Sequence, residues 1–212
     1  MEGPLYGQDL YYRDVPEQRQ LPLILASASP RRQELLREAG IPIEVHPADV
    51  REERADGEEP VGYACRLARE KAQSVAARFP GRYVLGADTI VVVDEHILEK
   101  PADAQDAARM LRLLSGRVHI VTTAVSLARP DGFIDTHSAT TEVSFRDLED
   151  KEIRQYIAGG EPMDKAGAYA IQGGAGAWVQ RIQGEYSNVV GLPLSLVITM
   201  LVSRGYLRGE RG

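Results

Sequence analysis

Several residue types that mark particular classes of protein are scarce in this 212-residue sequence. Cys65 is its one cysteine, so no intramolecular disulfide can form, which favours a reducing, cytoplasmic location. The four histidines are scattered and no thiol motif surrounds Cys65, so a cysteine nucleophile is not indicated. The net charge is −6, and a general nucleic-acid binder needs a basic face, so that class is disfavoured. Any anionic ligand must then be held by a local cluster of cations.

Long apolar runs are also missing. The most apolar stretch, residues 189–202, is interrupted by Gly191, Pro193 and Ser195 and is too short to span a bilayer. Residues 1–20 are polar and lack the apolar core of a secretory signal peptide. We therefore expect no membrane partner. We interpret residues 1–20 as a loose N-terminal extension that precedes a single domain covering residues 21–212.

Helical and strand patterns alternate along the rest of the chain. Apolar runs bounded by turn residues predict strands at 21–26, 41–45, 83–85, 90–93, 118–127, 138–145, 166–171 and 177–182. Helical periodicity with proline or glycine at the ends predicts helices at 30–39, 61–78, 102–114, 150–157 and from about residue 193. Interleaved elements of this kind predict an α/β fold with a mixed sheet, and the charge run at 49–60 predicts a loop.

The stretch LASASPRRQELL, residues 25–36, joins an apolar strand to a helix through a short turn. Ser27 and Ser29 supply hydroxyls, and the unpaired amides of a helix N-terminus can bind an anion. Arg31 and Arg32 lie where the helix dipole disfavours cations, so either they are solvated or an anionic group lies beside them. The turn is therefore a candidate phosphate site or a plain surface turn. It is not a Walker A loop, which needs a lysine after a spaced glycine pair.

In GADTIVVVD, Asp88 interrupts an otherwise apolar strand. Burying an unpaired carboxylate is costly, so we expect Asp88 at a strand edge, facing a metal, a cation or a substrate. The alternative is an aspartate that makes local turn hydrogen bonds after Gly86. Thr89 is either a ligand hydroxyl or simply a β-branched strand residue.

Three lysines and a glycine-rich segment supply further candidates. Lys71, Lys100 and Lys165 lie beside turns or small residues, and each is either a phosphate contact or solvated. In DKAGAYAIQGGAGAWV the glycines permit close backbone approach, or form a hairpin with no ligand. The Gln172 amide can both donate and accept, so it can pair with a base edge or a sugar.

A carboxylate among phosphate-binding cations needs a reason, because it repels the phosphates. A divalent cation that bridges carboxylate and phosphate supplies one, and Mg²⁺ or Mn²⁺ prefers such hard oxygen ligands. Asp88 is the first candidate ligand, and Glu52 or Glu53 in the charge run is the second.

These motifs, in this order, resemble the Maf-like nucleoside triphosphate pyrophosphatases. The resemblance covers about residues 21–205. It implies two α/β lobes around a long mixed sheet with a central cleft, a fold of the Maf and ITPase type. The matching blocks are LASASPRRQELL, LAREKA, GADTIVVVD, LEKP, MLRLLSGRVHIVTTAV, EPMDKAGAYAIQG and VVGLPL.

The resemblance also implies a reaction and its residues. Family members hydrolyse nucleoside triphosphates between the α- and β-phosphates and use a divalent metal such as Mg²⁺, Mn²⁺ or Co²⁺. Asp88 matches the proposed general base, although it could instead serve mainly as a metal ligand, and Glu52 matches an acid that helps to hold the metal. The implied substrate-binding residues are Ser27, Arg31, Arg32, Lys71, Thr89, Lys100, Lys165 and Gln172.

The branch of the family is indicated by Arg31, Thr89 and Gln172. AYAIQG resembles the branch acting on dTTP and UTP, whereas the branch acting on 7-methyl-GTP has a glutamate-containing sequence there. The implied role is house-cleaning of the nucleotide pool, which includes modified pyrimidine nucleotides, and the resemblance is compatible with a homodimer. Two rival functions stay open: a non-catalytic nucleotide-binding regulator linked to septum formation, and a nucleotidyl- or sugar-nucleotide transferase.

Overall fold

The computed structural model describes residues 21–207, so the extension expected at residues 1–20 lies outside the described residues, as do residues 208–212. Within the described range the strands form one mixed sheet of seven strands. The strands are β1 (Leu23–Leu25), β2 (Ile43–Val45), β3 (Val84–Val93), β4 (His96–Leu98), β5 (Val118–Ala128), β6 (Ile134–Phe145) and β7 (Val179–Gln183).

Helices connect these strands and cover the sheet. The α-helices are α1 (Pro30–Glu38), α2 (Pro60–Ala76), α3 (Ala104–Leu114), α4 (Asp150–Ala158), α5 (Tyr186–Val190) and α6 (Leu194–Ser203). Three short 3₁₀ turns lie between α4 and β7, at Glu161–Asp164, Ala166–Ala168 and Gly174–Trp178. No helix between residues 21 and 207 has the length and apolar character needed to cross a membrane.

The strand order is β2-β1-β3-β5-β6-β7, and β4 pairs with the C-terminal end of β3. β1 pairs in parallel with β2 and β3, whereas the other pairings are antiparallel. The three residues of β1 are buried, as expected for a parallel strand covered on both faces. The predicted α/β class with a mixed sheet is confirmed.

Strand β3 carries the central carboxylate. It runs without a break over Val84–Val93, so the predicted interruption at GADT is wrong. The expected position of Asp88 at a strand edge is also wrong. Asp88 lies in the middle of the strand, where it pairs with Ala124. The carboxylate is tolerated there because the Lys71 ammonium of α2 lies 2.6 Å from it.

The strand predicted at 166–171 is also wrong. Gly167 has φ 70° and Ala168 has φ 58°, so two successive residues adopt left-handed conformations that a strand cannot contain. The glycines that follow form a further 3₁₀ turn, and the next strand begins at Val179, within the span 177–182 that the sequence predicts. Residues 161–178 are therefore a series of turns that packs beside the sheet.

Helix α2 approaches β3 closely at Gly86. A Cβ atom on Gly86 would lie 2.3 Å from the Ala68 carbonyl oxygen and 2.7 Å from the Ala72 nitrogen, so only glycine allows this contact. Leu67 and its apolar neighbours fill the interface between the helix and the sheet. Because Lys71 lies between Ala68 and Ala72, the close packing brings its ammonium group onto β3.

Candidate active site

A cleft of about 690 Å³ opens between the β1–α1 turn, α2, the middle of β3 and the turns at 163–172. Glu53, the alternative metal ligand to Glu52, does not line this cleft. Every residue that the family resemblance implies to bind substrate or metal does line it, although the role of each stays a prediction. These residues are Ser27, Arg31, Arg32, Glu52, Lys71, Asp88, Thr89, Lys100, Lys165 and Gln172.

An ion-pair chain crosses the floor of the cleft. The Lys71 Nζ lies 2.6 Å from Asp88 Oδ1 and 2.5 Å from Glu52 Oε1. On its other oxygen, Oε2, Glu52 pairs with the Lys100 Nζ at 3.3 Å. Lys71 and Asp88 are buried and Lys100 is exposed, so the chain leads from the centre of the sheet to the mouth of the cleft.

The two carboxylates of this chain have different acidities. Burial raises the pKa of Asp88 above its ordinary range, although the charges of Lys71 and Arg32 oppose this effect. Burial would also raise the pKa of Glu52, but the hydrogen bond and charge of Lys71, with help from Lys100, outweigh it and lower that pKa. Asp88 is therefore a better proton acceptor than an ordinary aspartate, whereas Glu52 is a weaker one than an ordinary glutamate.

The Arg32 guanidinium forms hydrogen bonds with three segments of the cleft. Its Nε donates to the Gly191 carbonyl at 2.8 Å, Nη1 donates to Ser27 Oγ at 3.1 Å and to the Ala87 carbonyl at 2.9 Å, and Nη2 donates to Thr89 Oγ1 at 3.0 Å. Burial lowers the pKa of this guanidinium. Most of its five N–H donors are occupied, so its main contact is with the protein itself.

The β1–α1 turn is partly satisfied by its own hydroxyls. The Ser29 amide donates to Ser27 Oγ at 3.2 Å, and the Arg32 amide donates to Ser29 Oγ at 3.5 Å. Ser29 thus acts as the N-cap of α1. The expectation that the amides of this turn are unpaired is wrong for these two, because the serine side chains bind them.

The remaining cations of the cleft have partners on the turn at Glu161–Asp164. Arg31 Nη1 lies 3.8 Å from Asp164 Oδ2, across the mouth of the cleft. Lys165 Nζ lies 2.5 Å from Asp164 Oδ1 and also donates to the Glu161 carbonyl. Both cations therefore line the cleft while they are held by this turn.

Gln172 lines the same cleft as these cations. It is exposed, and its backbone belongs to a turn in which the Gly173 amide donates to the Ala170 carbonyl at 3.1 Å. Within residues 21–207, the hydrogen bonds of the structure include none from the Gln172 amide group. A donor and an acceptor are thus presented together to the cleft.

Comparison with known proteins identifies the family. The model of the family described as "Maf-like protein" matches residues 22–204. The chain belongs to this family. A dTTP/UTP pyrophosphatase of Koribacter versatilis is 56% identical over 87% of this chain and 95% of its own length. An enzyme with the same name from Geotalea uraniireducens is 55% identical over 86% of this chain and 95% of its own length. Another, from Geobacter metallireducens, is 53% identical over 87% of this chain and 97% of its own length.

In this Maf-like protein, sequence reasoning missed two cleft residues. Glu99 lines the cleft and accepts a 2.7 Å hydrogen bond from the Tyr63 hydroxyl. The available signal was the acid next to Lys100 in LEKP. Gly191 was also missed: its φ of 125° requires glycine, and its carbonyl accepts from Arg32.

Two carboxylates of this Maf-like protein are candidate metal ligands. Within residues 21–207, no group of three or more His, Cys, Asp or Glu residues is arranged to hold a metal ion. Glu52 and Asp88 nevertheless converge on one positive charge, the Lys71 ammonium. Two hard oxygen donors fit a Mg²⁺-type ion, whose remaining ligands are commonly phosphate oxygens and water. The residues present therefore fit a divalent cation that arrives with a phosphorylated substrate.

Proposed function

We propose that this protein hydrolyses dTTP and UTP between the α- and β-phosphates, giving the nucleoside monophosphate and pyrophosphate. The observation that carries the proposal is one cleft that holds the buried carboxylate Asp88, a set of cations and the free amide of Gln172. The names of the most similar relatives support the same substrates. Modified pyrimidine nucleotides belong to the same substrate class, so the role we infer is house-cleaning of the cytoplasmic nucleotide pool.

In this proposal Asp88 takes the proton of the attacking water. Burial raises its pKa, and proton transfer is favoured when the acceptor is more basic than an ordinary carboxylate. Lys71 holds the carboxylate in place through its 2.6 Å contact and keeps the negative charge compensated. Asp88 lies on a central strand, so the base is held by rigid structure.

The cations of the cleft bind the triphosphate. Arg31, Lys100 and Lys165 line the cleft and exchange their contacts with Asp164 and Glu52 for phosphate oxygens. Positive groups that are fixed around the phosphates stabilise the charge that develops as the anhydride breaks. Arg32 supports these cations indirectly, because its hydrogen bonds hold the turn from which α1 begins.

The metal, which we also propose, is held by Glu52 and Asp88. When bound, a divalent cation neutralises the triphosphate and polarises its phosphoryl oxygens. The Lys71 ammonium contacts both carboxylates, so it would compensate part of their negative charge alongside the metal.

Gln172 reads the base in this proposal. Its amide can donate to a pyrimidine carbonyl and accept from the ring N–H, a pair that uracil and thymine both offer. Arg31 and Thr89 line the same cleft and complete the set assigned to selectivity. Thr89 is held by Arg32 at 3.0 Å, so it is presented at a fixed position.

A panel of nucleoside triphosphates with Mg²⁺, Mn²⁺ or Co²⁺ tests the function. We expect equimolar monophosphate and pyrophosphate, with dTTP and UTP as the preferred substrates. Nucleotide binding without release of pyrophosphate would favour the regulatory alternative. Product formation that depends on an added acceptor would favour the transferase.

A further inference from the structure

Two side chains behind the cleft hold the turn that carries Gln172. The Tyr156 hydroxyl of α4 accepts a hydrogen bond from the Ala170 amide at 3.0 Å and donates to Glu161 Oε1 at 2.8 Å. The other carboxylate oxygen of Glu161 accepts from the Gly174 amide at 3.3 Å. Ala170 and Gly174 lie two residues before and two residues after Gln172. The Tyr156–Glu161 pair therefore holds the backbone on both sides of it.

The contact between Glu161 and this turn is close. A Cβ atom on Gly173 would lie 1.8 Å from Glu161 Oε1 and 2.4 Å from Cδ, so the carboxylate fills the space that any side chain at 173 would need. The Tyr156 ring is itself fixed by Trp178, with ring centroids 4.8 Å apart at 67°. Packing against Trp178 therefore fixes Tyr156, and Tyr156 and Glu161 together fix the turn.

Neither side chain belongs to the wall of the cleft. The residues that line it include Gln172 and Lys165 but not Tyr156 or Glu161. The Glu161 carbonyl also accepts from the Lys165 ammonium, so the same residue connects the base side of the cleft to one of its cations. Any effect of Tyr156 or Glu161 on a ligand must therefore pass through the residues that they hold.

We propose that Tyr156 and Glu161 are positioning residues that set nucleobase selectivity by fixing the backbone from which Gln172 extends. The inference rests on the proposed function. Glutamine is a long side chain with several rotamers, and hydrogen-bond selectivity depends on where its amide is placed. When the backbone is released, Gln172 samples more positions and distinguishes bases less. The base-independent chemistry at Asp88 stays intact, because Asp88 lies on β3.

The variants Tyr156→Phe and Glu161→Ala test this inference through selectivity. We measure kcat and KM for UTP and for GTP in wild type and variants. The expected result is a roughly tenfold rise in the KM for UTP, a kcat within about threefold of wild type, and little change for GTP. Glu161→Gln keeps one acceptor for the Gly174 amide, so it should retain part of the selectivity. Tyr83→Phe is the matched control, because the Tyr83 hydroxyl donates to the Arg204 carbonyl away from the cleft.

A double-mutant cycle separates positioning from general destabilisation. In a Gln172→Ala background, Tyr156→Phe should have no further effect on the UTP-to-GTP ratio, because the side chain it positions is gone. Equal losses for UTP and GTP with a lowered Tm would overturn the inference, since that pattern describes a purely structural pair. If Glu161→Ala does not fold, the isosteric Glu161→Gln still tests the inference.

Different results would refute the inference and the proposed function. Wild type that releases pyrophosphate from UTP, with selectivity unchanged in the Tyr156 and Glu161 variants, refutes the positioning role and leaves the proposed function standing. Wild type that releases no pyrophosphate from any pyrimidine triphosphate refutes the proposed function, and the inference falls with it.

Discussion

The wall of the cleft that carries Asp88 and the wall that carries Gln172 are built from different kinds of structure. On the first, which we call the phosphate wall, side chains extend from β1–α1, α2 and β3 and are tied by buried ion pairs. On the second, the base wall, residues 161–178 form short turns held by the hydroxyl of Tyr156, the carboxylate of Glu161 and an aromatic cluster. The phosphate wall therefore suits a reaction common to all substrates, whereas the base wall suits selection among them.

The two walls also differ in how much buried charge they contain. Lys71 and Asp88 of the phosphate wall are a buried ion pair between α2 and β3, and removal of Lys71 would leave the Asp88 carboxylate without this partner. The base wall is held by hydrogen bonds among the Tyr156 hydroxyl, two backbone amides and the half-buried Glu161 carboxylate, and single hydrogen bonds of this kind contribute less than a buried ion pair. We therefore expect changes in the phosphate wall to have larger effects, and the predictions follow that order.

Asp88→Asn should have the largest effect. The substitution removes the proton acceptor and one proposed metal ligand, while the amide keeps the shape of the side chain. We expect kcat for UTP to fall by about 10³-fold or more, as is typical when a general base is lost. Asp94→Asn is the control, since Asp94 pairs with Arg117 in an exposed ion pair and should leave kcat unchanged. Near-normal turnover in Asp88→Asn, with fold verified by circular dichroism, would refute the assigned role.

Arg32→Lys should come next, with losses in both activity and stability. Lysine cannot reproduce the fork that binds Ser27, Thr89 and the carbonyls of Ala87 and Gly191. Each buried carbonyl left without a donor costs roughly 1–3 kcal/mol, so a drop in Tm should accompany a roughly 100-fold loss in kcat/KM. Steady-state kinetics and thermal unfolding check the two effects. A change in KM alone would show that Arg32 contacts phosphate and does not organise the site.

His119 gives the base wall a dependence on pH. It lies on β5, is buried, and shares a 2.8 Å hydrogen bond with the Tyr169 hydroxyl of the base wall. Burial lowers its pKa from 6.5 to about 4. Between these values the unfolded chain binds a proton that the folded protein does not, so this contribution to stability is complete above pH 6.5 and is lost as pH falls toward 4.

The predicted loss at His119 is about 2 kcal/mol of unfolding free energy between pH 7 and pH 5. Urea unfolding at the two pH values measures it. His119→Gln should remove this part of the pH dependence, whereas the same change at the exposed His96 should not. An identical pH dependence in wild type and His119→Gln would exclude the buried imidazole as its source.

Gln172→Glu should change selectivity more than stability. A carboxylate can accept from the ring N–H of uracil but cannot donate to its carbonyl, so one of the two proposed contacts is lost. We expect kcat/KM for UTP and dTTP to fall by roughly tenfold relative to the purine triphosphates, with Tm unchanged because the side chain is exposed. Competition assays with paired nucleotides measure the ratio directly. An unchanged substrate ranking would remove Gln172 from the selectivity proposal.

The helices and strands of the phosphate wall could be predicted from the sequence in outline, whereas the backbone structure of the base wall could not. The helix after Pro30 and the placement of Asp88 among apolar residues follow from local patterns, and both elements are present. The position of Asp88 within an unbroken strand depends on Lys71, which is seventeen residues away and reaches it only after α2 packs on Gly86. Such a long-range contact leaves no periodic signal in the sequence.

The sequence pattern wrongly predicts a strand in the base wall, because small and larger residues alternate there as they do in many strands. AGAYAI reads as a strand, but the left-handed conformations at Gly167 and Ala168 turn the chain into the series of turns described above. The Cβ position at Gly167 would lie 3.0 Å from Val91, so the glycine is needed for packing against β3. Tyr156 and Glu161, which hold the turn, are ordinary helix and turn residues in the sequence and gave no signal of their own.

The contact between Arg31 and Asp164 joins the two walls and should give the smallest effect. The pair is 3.8 Å apart and the Asp164 side chain is 66% exposed, so it contributes little to stability. Asp164 nevertheless competes with a triphosphate for Arg31 and Lys165. Asp164→Asn should therefore lower the KM for UTP by about twofold at low salt, with kcat unchanged, and the difference should shrink as salt screens the charges. A higher KM would mean instead that Asp164 holds Lys165 in its binding position, and the base wall would then share in binding phosphate.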